Sequence, residues 1–278
     1  MEILDIIKEA FIFPSKNLDK LAIYIVLLFV MGLLVGGGFF TIFAAINDSS
    51  LYFIITAILF IIAIIIALII TGYQIGIIKS GIDFDEKAPS FDWKNDLITG
   101  IKMIIVSIVY MIIPAIIVGI IALITNVPGN IMNFIQEATV TSANATAIAN
   151  SSAPALSSIS SATQSALITS FTITAIIGII VFIIFAFLQT MGEARLANTG
   201  SLGEAINIPE AARDISRIGV GKVIGVILFS IIVVAVIETI LGAIYGKIPE
   251  LSILSIVVTP YFAFFTQRVT GLLYSDIA

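Results

Sequence analysis

Three carboxylates stand close together in GIDFDEKAPSFDWKNDLITG, residues 81–100: Asp83, Asp85 and Glu86. Hard divalent cations take oxygen ligands, so the donor type is right. A calcium loop of the EF-hand kind, about a dozen residues with a central glycine, does not surround them. Exposed carboxylates are the norm in proteins. The segment therefore reads as a solvated turn between Gly81 and Pro89. Phe91 and Trp93 follow as aromatic anchors at the headgroup level of a membrane.

Two charges fall inside long apolar runs, Glu238 and Arg268. An ionisable group at membrane depth is a functional candidate. Glu238 lies about 24 Å along its helix from Lys222, at roughly 1.5 Å per residue, which places it near the outer surface. Arg268 falls near the opposite surface, where a long side chain snorkels to the headgroups. A stripe of small, weakly polar residues also recurs at helical spacing: Ser252, Ser255, Thr259, Ala263, Thr266 and Thr270. Such stripes are usually close-packing faces between membrane helices. Ser252, Ser255, Thr259 and Thr266, with Pro260 and Pro114 as kinks, also mark a candidate lipid or substrate path. Gly32 with Gly36, Gly221 with Gly225, and Gly242 with Gly246 have the spacing of helix-contact motifs.

Much chemistry is missing. Cysteine and histidine are both absent. There is then no disulfide, no thiolate nucleophile and none of the usual zinc ligands. No P-loop, dinucleotide fingerprint, HExxH or GxSxG is present. The expectation is a protein that is not an enzyme and takes no cofactor or metal. The net charge of −5 and the lack of a long basic run speak against nucleic acid as a partner.

Of the 278 residues, 59% are hydrophobic and 11% are charged. Soluble domains carry roughly a quarter charged residues. So sparse a set cannot cover a water-exposed surface, and the class is integral membrane protein, all-α. A span needs about 20 apolar residues. Six runs qualify, near residues 21–45, 51–78, 98–124, 167–189, 223–245 and 251–274. They predict one polytopic membrane domain over residues 1–278. The small residues at Ala44–Ala45 would suit a processing site, but the first run is long for a signal peptide and an uncleaved span is expected.

Lys8, Lys16, Lys20, Lys79, Lys87, Lys94, Lys102, Arg195, Arg213, Arg217, Lys222 and Arg268 all fall on one side of this threading. Only Lys247 falls on the other. The positive-inside rule makes the richer side cytoplasmic, with both termini on it, in a multi-pass protein of the cell membrane.

Short amphipathic pieces flank the spans. Ile3, Ile6, Ile7, Ala10 and Phe11 share one face of residues 1–14, against Glu2, Asp5, Lys8 and Glu9 on the other. This reads as an interfacial helix stopped at Pro14. After the fourth span, Gly200 can stop a helix and Ser201 with Glu204 has the spacing of a capping box. Pro209 suits a first turn. Ile208, Ala211, Ile215 and Ile218 then form one apolar face. Residues 126–165, rich in Ser, Ala and Thr, read as a mobile outer loop, with a helix beginning near Pro154. Asn47, Asn144 and Asn150 head glycosylation-type triplets on that outer side.

Several longer stretches are familiar. FIFPSKNLDKLAIYIVLLFV enters the first span. GYQIGIIKSGIDFDEKAPSFDWKNDLITGIK follows the second, RLANTGSLGEA the fourth, and PYFAFFTQRVTGLLY closes the sixth. Together they resemble the archaeal and bacterial family called domain of unknown function 4013. The Pro-x-Phe-Asp-Trp piece at Pro89–Trp93 is the most specific part. More distantly the chain is similar to other six-helix domains, such as the membrane domain attached to some glycerophosphodiester phosphodiesterases. The resemblance implies a multi-span prokaryotic membrane protein with no assigned activity, and it carries over no catalytic residue.

Two functions stay open at this point. One is a non-catalytic scaffold or accessory subunit that binds lipid, a membrane-protein partner or a second copy of itself. The alternative is a transporter-like protein for an apolar or amphipathic substrate, working through the kinked third and sixth spans. The bare apolar stretch AILFIIAIIIALII in the second span argues against a wide aqueous pore, since a helix lining water shows a polar face.

Overall fold

A computed structural model describes residues 1–48, 50–147 and 159–278. Asn150 and Pro154 lie outside the described residues. In chain order the α-helices are α1 (Ile3–Lys16), α2 (Leu18–Asp48), α3 (Ser50–Ile82), α4 (Trp93–Ile124), α5 (Val127–Ala147), α6 (Ser161–Thr199), α7 (Leu202–Ala205), α8 (Ile208–Ile218), α9 (Val220–Lys247) and α10 (Ser255–Tyr274). A six-residue 3-10 helix, Pro249–Leu254, leads into α10. The fold is all-α, with no strand among the described residues.

Six helical segments are long and apolar enough to cross a membrane: Leu18–Ala44, Leu51–Ile82, Trp93–Ile124, Ser161–Thr199, Val220–Lys247 and Pro249–Tyr274. In hydrocarbon every backbone N–H and C=O must be satisfied internally, and a continuous helix does this. Only 6–22% of each span's most apolar stretch is buried within the chain. Phe40, Ile64, Ile116, Ile179 and Ile231 instead point outward. A soluble monomer rarely exposes contiguous apolar surface on this scale, whereas a multi-pass membrane protein covers it with lipid.

The chain forms two compact units. The first is Met1–Ser107 with Leu188–Ala278. Here α3 touches α4 and α10 backbone to backbone. A methyl on Gly72 would lie 1.8 Å from the Asp96 carbonyl oxygen, and one on Gly100 would lie 2.0 Å from that of Leu68. A methyl on Gly271 would lie 2.1 Å from the Ile78 carbonyl oxygen, and one on Gly81 would lie 2.9 Å from Gly271 Cα. The glycine pairs singled out by spacing behave differently. Gly32, Gly36, Gly221, Gly242 and Gly246 have open space where a Cβ would be, and Gly225 meets only the Ile3 side chain. Spacing within one helix cannot say which glycines face a neighbour.

The second unit, Ile108–Phe187, holds the rest of α4, α5 and the rest of α6. Pro114 sits in α4, buried, and the helix runs through it unbroken. Thr125 and Thr174 share a hydroxyl hydrogen bond of 2.9 Å. The stretch read as a loop over 126–165 is in part a helix. Pro128 falls in the first turn of α5, and Phe134 is half-buried on it. The run of Ala, Ser and Thr masked this shorter apolar pattern. Glu137 on α5 accepts from the Thr163 hydroxyl and the Ser160 N–H, which hold its carboxyl below the usual range.

Two smaller expectations also shift. α1 does not stop at Pro14 but runs on to Lys16. It buries Ile6, Ile7, Ala10 and Phe13 yet leaves Leu4 and Ile12 exposed, so it has apolar residues toward the bundle and away from it. α6 continues past Gln189 to Thr199, which places Glu193 and Arg195 on the helix itself.

The glycine contacts make a prediction. Gly72→Ala or Gly271→Ala forces two backbones apart and should cost about 3 kcal/mol or more, by analogy with overpacked cores. Gly36→Ala should leave the melting temperature unchanged. Thermal unfolding in detergent, followed by size-exclusion chromatography, checks both. Equal melting of all three variants would refute the close approach.

Candidate functional site

Arg268 is not a snorkelling side chain. It is 1% exposed, among the most buried large side chains of the protein. A guanidinium carries several N–H donors and no acceptor, so its burial demands partners. Its Nε donates to Glu9 Oε1 at 3.0 Å, and its Nη2 forms an ion pair with the same carboxylate. Its Nη1 donates to the Asp85 carbonyl at 2.7 Å and to Ser80 Oγ at 3.3 Å. The Phe13 ring lies 4.4 Å from the guanidinium carbon. Glu9, placed by periodicity on a solvated face, is half-buried and turned toward α10. One side chain thus joins α1, the end of α3, the following loop and α10.

That loop, residues 83–92, is a strap held at several points. The buried Asn17 side chain donates to the Phe13 and Glu86 carbonyls and accepts from the Ala88 N–H. Tyr73 donates its hydroxyl to the Pro89 carbonyl. The Phe91 ring stacks on Tyr73 with centroids 3.8 Å apart and planes at 6°. Trp93 continues the stack and is 52% exposed, so of the two expected anchors it is the one that reaches outward. Asp83 pairs with Lys79, and Asp83, Asp85 and Glu86 are all exposed. Among the described residues no group of three or more acids could hold a metal ion. Asp92 and Asp96 open α4 reciprocally. Asp92 Oδ1 accepts from the Asn95 N–H, and Asp96 Oδ2 accepts from the Asp92 N–H.

The connection after α6 holds a second buried charge network. Gly200 ends α6 at φ +66°, and Ser201 Oγ accepts from the Glu204 N–H. The Glu204 carboxylate does not complete a capping box but pairs with Arg195. Arg195 also donates to Asp214 at 2.7 Å. Asp214 is 1% exposed and further accepts from Arg217 and from the Tyr274 hydroxyl. Asp214 shares the inner face of α8 with Ala211 and Ile218. An apolar period alone would have left an aspartate off that face.

Three of the predicted path residues come together. Ser255, Thr259 and Pro260, with Ile256, form one wall of a groove of about 360 Å³, and Leu28, Phe29, Gly32 and Leu33 on α2 form the other. The lining is almost entirely apolar. The Ser255 hydroxyl is spent on the Ser252 carbonyl of its own helix, 2.6 Å away. One turn further along both helices, Tyr24 and Phe264 meet edge to face with centroids 5.3 Å apart. Tyr73 packs beside them, and the Tyr24 hydroxyl accepts from Gln74 at 2.6 Å. A packed aromatic plug thus lies one turn beyond the residues that line the groove. Ser252 lies in the 3-10 helix and is exposed; Thr266 donates to the Phe262 carbonyl, away from the groove. Pro114 belongs to the other compact unit. Glu238 is exposed on α9, outside the groove and both charge networks.

A family model described as "Protein of unknown function (DUF4013)" matches residues 55–246, more than half of the chain. The chain belongs to this family. The DUF4013 match takes in the strap and Arg195, Glu204, Asp214 and Arg217 of the second network, but not its Tyr274. Glu9, Arg268 and both walls of the α2–α10 groove fall outside it. No curated protein and no solved structure matches the chain.

Removing one partner of a buried ion pair typically costs about 3–5 kcal/mol, because the other charge is stranded. Arg268→Leu should lose about that much. Replacing Glu9 by Leu in the same chain should recover part of it. Denaturant unfolding of the two single variants and the double variant measures the coupling. Strictly additive losses would show that the pair is not coupled.

Proposed function

We propose that this protein is a non-catalytic membrane scaffold or accessory subunit of the cell membrane that holds a lipid acyl chain in the α2–α10 groove. The groove itself carries this reading. It is open along one side, apolar, and set in helices whose surroundings are bilayer, so the molecules at hand to fill it are acyl chains. Gly32 widens it, since a Cβ there meets nothing within 4 Å. The plug of Tyr24, Tyr73 and Phe264 favours a bound lipid over a route through the bundle. A transporter using these helices would have to separate three packed rings. With the base-rich side in the cytoplasm, the 83–92 strap and the α7–α8 connection are the surfaces offered to a membrane-protein partner or a second copy of the chain.

Filling the groove tests the reading. Gly32→Phe should fold normally, and it should reduce cross-linking of a photoactivatable acyl-chain phospholipid to α2 and α10 severalfold. Labelling that is unchanged, or spread evenly over all six spans, would refute it. Orientation is tested separately. Because the chain has no cysteine, single substitutions label without background. Lys87→Cys should react with an impermeant maleimide only after the cells are opened, and Lys247→Cys should react in intact cells. The opposite pattern would invert the threading.

A further inference from the structure

A second cavity, of about 330 Å³, lies between the end of α3, the start of α4 and the end of α6. Its lining includes Lys79, Asn95, Asp96, Thr99, Lys102 and Asn198. It differs in kind from the α2–α10 groove, which offers almost no polar surface.

Lys102 is the unusual member. It lies roughly 13 Å along α4 from Trp93, at about 1.5 Å per residue. The exposed Trp93 ring marks headgroup depth, where tryptophan concentrates. From its deeper position the Lys102 side chain turns back, and its Nζ donates to the Gly200 carbonyl at 2.8 Å, just past the end of α6. An ammonium has three donors, and this carbonyl takes one. Among the described residues Lys102 joins no ion pair. The remaining donors of this ammonium can be met by an anion in the cavity that it lines.

The other wall groups suit the same ligand. Lys79 pairs with Asp83 at 3.3 Å, but both side chains are about half exposed, and such pairs are worth little and yield readily. Asn95, Thr99 and Asn198 supply neutral donors. Asp96 is the one carboxylate on the wall, and its Oδ2 is engaged by the Asp92 N–H at the start of α4.

We propose that this cavity binds a phosphate group at headgroup depth, with Lys102 and Lys79 as cationic contacts and Asn95, Thr99 and Asn198 as hydrogen-bond donors. The phosphate can belong to a lipid headgroup or to a small soluble anion. The site is built from other helices than the acyl groove and stands or falls separately from it.

The test uses the full chain in detergent. Native mass spectrometry compares phosphatidylglycerol with a diacylglycerol of the same chains, which lacks only the phosphate-bearing head. Melting with and without inorganic phosphate forms the second arm. Phosphatidylglycerol should bind about tenfold more tightly than diacylglycerol, a difference that charge-assisted hydrogen bonds readily supply. Lys79→Gln with Lys102→Gln should abolish that preference, and Lys102→Arg should keep it. Should the doubly substituted chain fail to fold, Lys79→Gln alone, at an exposed position, should still weaken phosphatidylglycerol severalfold. A melting shift with inorganic phosphate but no lipid preference, again lost in the lysine variants, would assign the site to a soluble phosphate. Equal binding of the two lipids with no phosphate-dependent shift would overturn the proposal. So would a preference that survives loss of both lysines.

Discussion

A guanidinium taken out of water costs several kcal/mol unless charge and hydrogen bonds meet it. Arg268 on α10 is buried where three other pieces of chain converge, and each contributes what the charge requires. Glu9 brings the opposite charge from α1. Ser80 and Asp85 bring oxygens from the end of α3 and the strap. Phe13 brings the face of a ring. Remove the arginine and α1 loses its ionic tie to α10, while the strap loses the bond that holds the Asp85 carbonyl. The local order of this end of the molecule follows from satisfying that one group.

The spans were readable because length and apolarity alone make a membrane helix. The Ser201 cap and the first-turn Pro209 were readable because they depend on neighbours in sequence. Arg268 was not. Its carboxylate partner is 259 residues away, and nothing in its own apolar run distinguishes an arginine that turns inward from one that reaches to headgroups. Asn17 was missed for the same reason, since two of its bonds go to Glu86 and Ala88 on the strap. Asp214 carried no signal, because an apolar period does not pick out a buried aspartate whose partners Arg195 and Tyr274 lie on other helices. α5 was hidden by composition, its few large apolar residues diluted by Ala, Ser and Thr.

The candidate groove shows both the strength and the limit of pattern. Ser255, Thr259 and Pro260 do share a wall. Their small size, not their polarity, is what matters there, because it leaves room beside Gly32 on α2. The α2 wall was invisible, as a helix that is apolar all round gives no sign of which face meets a neighbour. The aromatic plug was equally hidden, for Tyr24, Tyr73 and Phe264 come from three different helices.

The contacts at Gly72, Gly100, Gly81 and Gly271 have a mechanical consequence. Helices that touch main chain to main chain cannot roll or slide past one another, because side chains that might give way are absent from the seam. α3, α4 and α10 then behave as a keel. α10 supplies one wall of the groove and is fixed to that keel, whereas α2 meets α3 and α10 through side chains, Gly38 against the Phe60 ring and Tyr24 against Phe264. The width of the groove is then set on the α2 side, by the side chains through which α2 packs, rather than by any shift of α10.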